Sequence, residues 1–294
     1  MMSHPHEPGS YYVPQYSWWP ILAAVGLFLL GLGSIEYFND GTLGPKLLIS
    51  GVSILSLVMI CWLTAVVQES REGLYDTQMH RTFRWGMVWF IFTDIMLFVG
   101  LLGALWYYRI FTFSQLAGSH HAFESLTHYI LWPDFRSDWP LLVNPNPSQF
   151  SGPEQGLVFG WKSIITTLVM LGSGSTLVLA NLGFRTQRKA LLNTSLIATF
   201  LLISLFFILK IDAIAIAMHQ FGITLGSGIY GSIVMFLFVI YLIQVFVAII
   251  LLGVVVVRGL LGHFSIQDDF SIRAFSWFWY FMIVTWLVIF FSVY

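Results

Sequence analysis

The chain has 294 residues, of which 57% are hydrophobic and only 9% are charged. So few charged side chains cannot cover the surface of a water-soluble fold, and the composition therefore excludes a soluble domain. A formal net charge of −1 also argues against a nucleic-acid partner, because the chain has no excess of basic residues. The one cysteine, Cys61, rules out an intrachain disulfide, and we expect it to be a small buried hydrophobic residue.

Seven apolar segments follow one another, and each reaches the ~20 residues that a helix needs to cross the hydrocarbon core of a bilayer. They comprise residues 17–38, 46–67, 83–108, 158–184, 191–218, 228–257 and 271–294. This pattern predicts an all-α membrane protein with seven transmembrane helices. Residues 1–16 form a tail, residues 17–67 hold the first two helices, and residues 83–294 hold the other five, with a long irregular loop at 109–157.

Basic residues predict the orientation, because Lys and Arg are enriched in cytoplasmic loops. With seven crossings, the 13 Lys and Arg residues divide eight to five, and the face with eight also receives the N-terminus. We therefore expect a cytoplasmic N-terminus and, in a bacterium, a periplasmic loop at 109–157. Aromatic residues near segment ends, including Trp277 and Trp279, are expected at the membrane interfaces.

Polar residues inside the apolar segments are candidate functional residues, since they are costly in lipid. Asp94 lies well inside the third segment, where it fits a helix-packing hydrogen bond and a proton-linked carboxyl equally well. Lys210 and Asp212 are two residues apart in the fifth segment, so they do not share a helix face and are not expected to pair with each other. Tyr241 and Gln244 in the sixth segment are expected to hydrogen-bond to a neighbouring helix.

The sequence contains no catalytic constellation, no phosphate-binding loop and no zinc motif. No segment carries two histidines at a spacing suited to haem or copper. We therefore expect no catalytic residue and no metal ligand in this chain. The small-residue run Ser173-Gly-Ser-Thr in the fourth segment is typical of close helix packing rather than of a substrate site.

Several stretches of the sequence are similar to successive elements of one known family. They are His6-Glu-Pro-Gly with Trp19-Pro, Arg84-Trp-Gly through Thr93-Asp, Ser173-Gly-Ser-Thr, Gly228-Ile-Tyr-Gly-Ser, and His263-Phe-Ser with Trp277-Phe-Trp-Tyr-Phe. In this order, and over nearly the whole chain, they resemble the cytochrome c oxidase subunit III family in its long proteobacterial form.

The resemblance implies a fold and a role. The first two helices and the last five would form a two-helix hairpin and a five-helix bundle, separated by a V-shaped cleft that holds structural phospholipids. The chain itself would bind no haem and no copper. It would instead accompany the catalytic haem–copper subunit I, together with subunit II, in a proton-pumping oxidase of a bacterial inner membrane. There it would stabilise the catalytic subunit and support its proton uptake.

The resemblance also assigns individual positions. Asp94 falls on the family's carbodiimide-reactive glutamate and is one methylene shorter. At four positions where the family has histidines, this chain has other residues, which we take as candidates for interhelical polar contacts: Asn181, Tyr241, Gln244 and Tyr280. If the family's polar groups form one network, their joint replacement is easier to tolerate than the loss of one member.

Lipid headgroups are expected at cations and ring donors near the cytoplasmic ends of the helices, because charge attraction and hydrogen bonding both favour a phosphate there. By resemblance to the family, the candidates are Trp62, Arg84, Arg258 and His263.

Two other functions remain open. The chain could be an accessory subunit of a quinol oxidase or a nitric oxide reductase, although such subunits typically lack the first two helices, which are present here. A different class is an independent transporter or scaffold. A transporter needs a polar pathway at the membrane midplane, and the polar residues in these segments are scattered.

Overall fold

The computed structural model describes residues 16–75, 77–118, 122–149, 151–157, 159–264 and 270–293, so nearly all of the predicted tail lies outside the described residues. Within these ranges the chain forms helices and no β-strand. The helices are α1 (Trp19–Phe38), α2 (Gly44–Arg71), α3 (Thr77–Tyr107), α4 (Phe113–Leu116), α5 (Ala122–Leu131), α6 (Trp161–Arg185), α7 (Lys189–His219), α8 (Gly228–Leu260) and α9 (Phe270–Val293), with a π-helical turn at Tyr108–Thr112.

Seven helical spans in the described ranges are long and apolar enough to cross a membrane. Six of them are α1, α2 and α6 to α9. The remaining span, which is the third in chain order, is Gln78–Leu116, and it combines most of α3 with the π-helical turn and α4. The prediction of an all-α protein with seven transmembrane helices is thereby confirmed.

The third span continues beyond its predicted end at residue 108. Residues 108–116 contain neither glycine nor proline, so nothing in their sequence breaks the helix, and the π-helical turn carries it on to Leu116. The region predicted as irregular also contains the ten-residue helix α5, Ala122–Leu131. The long connection therefore begins later than predicted and is partly helical.

The described residues up to Met87 form one compact unit, in which α1 and α2 pack as a hairpin. Glycine permits a close approach of the two backbones: a Cβ atom added to Gly33 would lie 2.7 Å from the amide nitrogen of Leu48. Cys61 is exposed, so the prediction that it is buried is wrong. The reason is that α2 packs against α1 alone, and Cys61 lies on the uncovered side of α2.

Residues 88–294 form the second compact unit. Here α6, α7, α8 and α9 pack in a closed cycle, in which α6 contacts α7, α7 contacts α8, α8 contacts α9, and α9 returns to α6. The part of α3 that belongs to this unit joins the cycle through side chains; for example, the Trp106 indole donates a hydrogen bond of 3.2 Å to Ser292 Oγ on α9. The V-shaped lipid cleft stays a prediction.

Candidate functional site

The carboxyl group of Asp94 meets the side chain of Gln244 inside the second unit. Asp94 lies on α3 and is only 8% exposed. Gln244 on α8 donates from Nε2 to Asp94 Oδ1 at 3.1 Å. The sequence singled out both residues as polar side chains inside apolar segments, and the structure brings them together as a hydrogen bond between two membrane-spanning helices.

Two acceptor atoms of this pair have no hydrogen-bond partner in the part of the chain that the structure describes: Asp94 Oδ2 and Gln244 Oε1 are both buried and unsatisfied. Buried polar atoms of native proteins are nearly always satisfied, so such orphan atoms need an explanation. A protonated carboxyl group has an O–H donor, which an ionised one lacks. One added proton on Asp94 would therefore supply the donor that is missing from the site.

Aromatic rings of α3, α8 and α9 pack together one helical turn from Asp94. Phe98, one turn beyond Asp94 on α3, lies 6.2 Å from the ring of Tyr241 and 6.5 Å from that of Phe281, measured between ring centroids. Tyr241 is fully buried, and its hydroxyl donates to the backbone oxygen of Met282 at 2.8 Å. Tyr241 thus joins α8 to α9.

Asn181 joins α6 to α9. Its side-chain nitrogen donates to Ser276 Oγ at 2.9 Å and to the backbone oxygen of Leu177 at 3.0 Å. Tyr280, one turn further along α9, interacts through its hydroxyl with the same Asn181 side chain. Asn181 and Tyr280, two of the predicted candidates for interhelical polar contacts, are therefore neighbours in this chain.

Two buried tryptophans of α9 extend this contact with α6. Trp279 donates from its indole nitrogen to Ser173 Oγ at 2.9 Å, and Trp286 donates to Thr167 Oγ1 at 3.1 Å. The side chain of Trp279 is fully buried between helices, and its place at a membrane interface stays a prediction. The seven-residue spacing of the two tryptophans places them on one face of α9, and this spacing is the signal from which their role could have been recognised.

The lipid candidates lie in different environments. In the first unit, Trp62 is 53% exposed and Arg84 is also exposed. In the second unit, Arg258 is 4% exposed: its guanidinium donates to Ser271 Oγ and lies 5.1 Å from the centroid of the Phe264 ring. His263 is half-buried.

Lys210 and Asp212 take different partners, in agreement with the expectation that they do not pair with each other. Asp212 lies 3.8 Å from the ammonium group of Lys162 on α6, and both side chains are well exposed. Lys210 is 1% exposed and lies between the rings of Phe238 and Trp286. Lys162 was missed as a partner because it lies far from Asp212 in the sequence.

The described residues contain no group of three or more His, Cys, Asp and Glu side chains that could hold a metal ion. The polar side chains described above instead join one helix to another. Fold and site together define a polytopic α-helical membrane protein whose buried polar groups connect its helices.

Comparison with known proteins assigns this polytopic protein to a family. The family described as cytochrome c oxidase subunit III matches residues 9–126 and 162–294, which is most of the chain. The chain belongs to this family.

Named relatives share this similarity over the whole length of the chain. The chain is 25% identical over 290 residues to cytochrome c oxidase subunit 3 of Scyliorhinus canicula, with 98% of both chains covered. It is 26% identical over 292 residues to that of Struthio camelus, again with 98% of both chains covered. It is 25% identical over 289 residues to that of Locusta migratoria, which covers 97% of this chain and 95% of the relative.

Proposed function

We propose that this chain is the non-catalytic subunit III of a proton-pumping haem–copper terminal oxidase, a cytochrome c oxidase. Haem and copper belong to its partners, the catalytic subunit I and subunit II. The observation that carries this proposal is the family match over both 9–126 and 162–294. These two ranges include the α1–α2 hairpin as well as the helices that follow the long connection.

The hairpin separates this proposal from the nearest alternatives. Accessory subunits of quinol oxidases and nitric oxide reductases typically lack the first two helices. Here α1 and α2 are present, pack closely through glycine, and fall inside the matched range. The family match and the hairpin therefore both favour the cytochrome c branch.

Asp94 is the residue to which we assign a role in the complex. It is a buried carboxyl group that bridges two helices and keeps one oxygen free to take a proton. Such a group can exchange a proton while its other oxygen retains the contact with Gln244. We propose that this exchange supports proton uptake by the catalytic subunit.

Structural phospholipids are the second part of the proposed role. Trp62 and Arg84 present an exposed ring and an exposed cation, which together suit a lipid headgroup. Arg258 and His263 are the candidates of the second unit, and a phosphate at Arg258 would have to compete with Ser271 for the guanidinium. Replacing Arg84 by leucine should lower the number of phospholipids that co-purify with the complex, whereas replacing the neighbouring exposed Arg81 serves as the control.

We further propose that the chain lies in a bacterial inner membrane with its N-terminus in the cytoplasm. The division of basic residues between the two faces supports this orientation. A tag at the N-terminus should be protected from protease in intact spheroplasts and cleaved after lysis. Cleavage in intact spheroplasts would reverse the assigned orientation.

The test of the oxidase role is a purification in mild detergent through a tag on this chain. We expect a haem-bearing subunit and a copper-binding subunit to co-purify, identified by an absorption spectrum and by mass spectrometry. A quinol oxidase or nitric oxide reductase in the eluate would move the chain to that branch. A haem-free chain running alone would contradict the proposal.

A further inference from the structure

Lys210 is a buried basic side chain, and no described residue provides it with an anionic partner. Its side chain is 1% exposed, and its ammonium nitrogen lies 3.9 Å from the centroid of the Phe238 ring and 4.2 Å from that of Trp286. Ring faces attract a cation, but they accept no conventional hydrogen bond. Among the described residues, none accepts a hydrogen bond from this ammonium group or forms an ion pair with it.

Lys210 lines a cavity of about 320 Å³ in the second unit, beside the first turn of α6. This volume lies in the range of small-ligand sites. Gly160, Lys162, Asp212 and Trp286 are also among its lining residues. The rest of the lining is largely apolar and includes Leu157, Leu209, Ile216 and Phe221. The cavity therefore combines apolar walls with one buried cation.

The electrostatics of this cavity favour an anion. Lys162 and Asp212, each about 60% exposed, pair with each other at 3.8 Å, so their charges largely cancel. Protonated Lys210 then adds one positive charge to the lining, and no described residue neutralises it. The first turn of α6 adds partial positive charge, because the N-cap residue is Gly160, which has no side chain to cap the N–H groups there.

We propose that this cavity binds a phosphate group, with Lys210 as its buried counter-ion. A phosphate has several acceptor oxygens, and these match the donors of residues that line this cavity, namely the ammonium group of Lys210 and the N–H groups at the start of α6. Such a phosphate comes either from a phospholipid headgroup, whose acyl chains the apolar walls suit, or from free inorganic phosphate. The site is independent of the oxidase role proposed above.

The test uses the full-length chain, purified with whatever subunits it carries and then stripped of lipid by detergent exchange. Dioleoyl-phosphatidylglycerol is titrated in one arm, and dioleoylglycerol, which lacks the phosphate, is its matched control. Inorganic phosphate is titrated in a second arm at constant ionic strength. The readout is the thermal unfolding midpoint, which rises saturably with a ligand that binds only the folded state.

We expect a saturable rise in the midpoint with at least one phosphate-bearing probe and none with dioleoylglycerol. Lys210→Met should weaken the apparent affinity about tenfold or more, since a hydrogen bond to a charged group is lost. Lys210→Arg should retain most of the affinity. Lys189→Met, at the exposed start of the same helix, should leave it unchanged.

A second variant keeps the test decisive if Lys210→Met does not fold. Ala213→Leu leaves Lys210 in place and fills part of the cavity, so it should also weaken the response. A response to phosphatidylglycerol alone identifies a lipid headgroup, and a response to inorganic phosphate identifies a free anion. The proposal would be overturned if the unmodified chain gave no saturable response. It would also be overturned if Lys210→Met and Ala213→Leu both bound with the affinity of the unmodified chain.

Discussion

Asp94 and Gln244 are separated by 150 residues in the chain and share a hydrogen bond of 3.1 Å between α3 and α8. Gln244 takes part through its side-chain nitrogen and Asp94 through one carboxyl oxygen, while Asp94 Oδ2 and Gln244 Oε1 are buried without a partner among the described residues. The contact therefore holds two helices together and leaves room for a proton at the same place. These two roles can be separated by substitution.

Asp94→Asn should preserve assembly and change turnover. An asparagine oxygen still accepts from Gln244, so the link between the helices is kept, while the group can no longer exchange a proton. We expect a normal yield of the complex but a several-fold faster loss of oxidase activity during turnover. The measurement is oxygen consumption over successive turnovers.

The matched control for Asp94→Asn is Thr93→Ala. Thr93 is the exposed neighbour of Asp94, and its hydroxyl donates only to the backbone of its own helix. It should leave both assembly and turnover unchanged. If Asp94→Asn decays at the rate of the unmodified complex, the carboxyl group serves packing alone.

A double-mutant cycle on Asp94→Ala and Gln244→Ala measures the packing role of the pair. Hydrogen bonds between membrane helices contribute about 0.6 kcal/mol on average and up to about 1.7 kcal/mol. We expect a coupling energy in this range from the thermal or denaturant stability of the purified complex. Strictly additive single effects would mean that the two side chains do not interact.

Ser173→Ala should destabilise the protein because it leaves the buried indole N–H of Trp279 without an acceptor. An unsatisfied buried donor costs about 1–3 kcal/mol. Ser175→Ala is the control, since Ser175 is exposed on the same helix and bonds only to the backbone of that helix. Equal unfolding midpoints for the two variants would contradict the assigned contact.

Gly33→Ala should loosen the α1–α2 hairpin. The new methyl group would lie 2.7 Å from a backbone nitrogen of α2, which cannot give way as a flexible side chain can. Overpacking of this kind costs about 1–3 kcal/mol. Gly31→Ala, two residues away with open space around it, should be neutral or slightly stabilising. The measurement is the unfolding midpoint of each variant, which should fall for Gly33→Ala alone.

The sequence was sufficient to predict seven membrane helices because each apolar segment is long enough by itself to span a bilayer. The end of the third span was not predictable in this way. Hydropathy does not reveal that residues 108–112 form a π-helical turn which carries the helix onward. A helical extension at a membrane boundary looks, in the sequence, like the start of a loop.

At the candidate site, too, the sequence reveals the individual residues but not the contacts between them. Asp94 and Gln244 were recognisable because polar residues are rare inside such segments. Their pairing was not, because it depends on which helices pack together over 150 residues of sequence. The cavity at Lys210 was hidden for a similar reason: Phe238 and Trp286, the rings around the ammonium group, come from two other helices.

In the contact between α6 and α9, the polar groups of α6 are hydrogen-bonded without α9, whereas the indole N–H groups of α9 depend on α6. This difference bears on how the chain is inserted into the membrane. Thr167 and Ser173 donate their hydroxyl protons to the backbone of α6, so they are satisfied before α9 is present. The indole N–H groups of Trp279 and Trp286 have no such local acceptor and find one only on α6. An unsatisfied donor is costly in hydrocarbon. During synthesis the hydroxyl groups of α6 therefore already have hydrogen bonds, while α9, which is made after α6, gains acceptors for its indole N–H groups only by docking against α6.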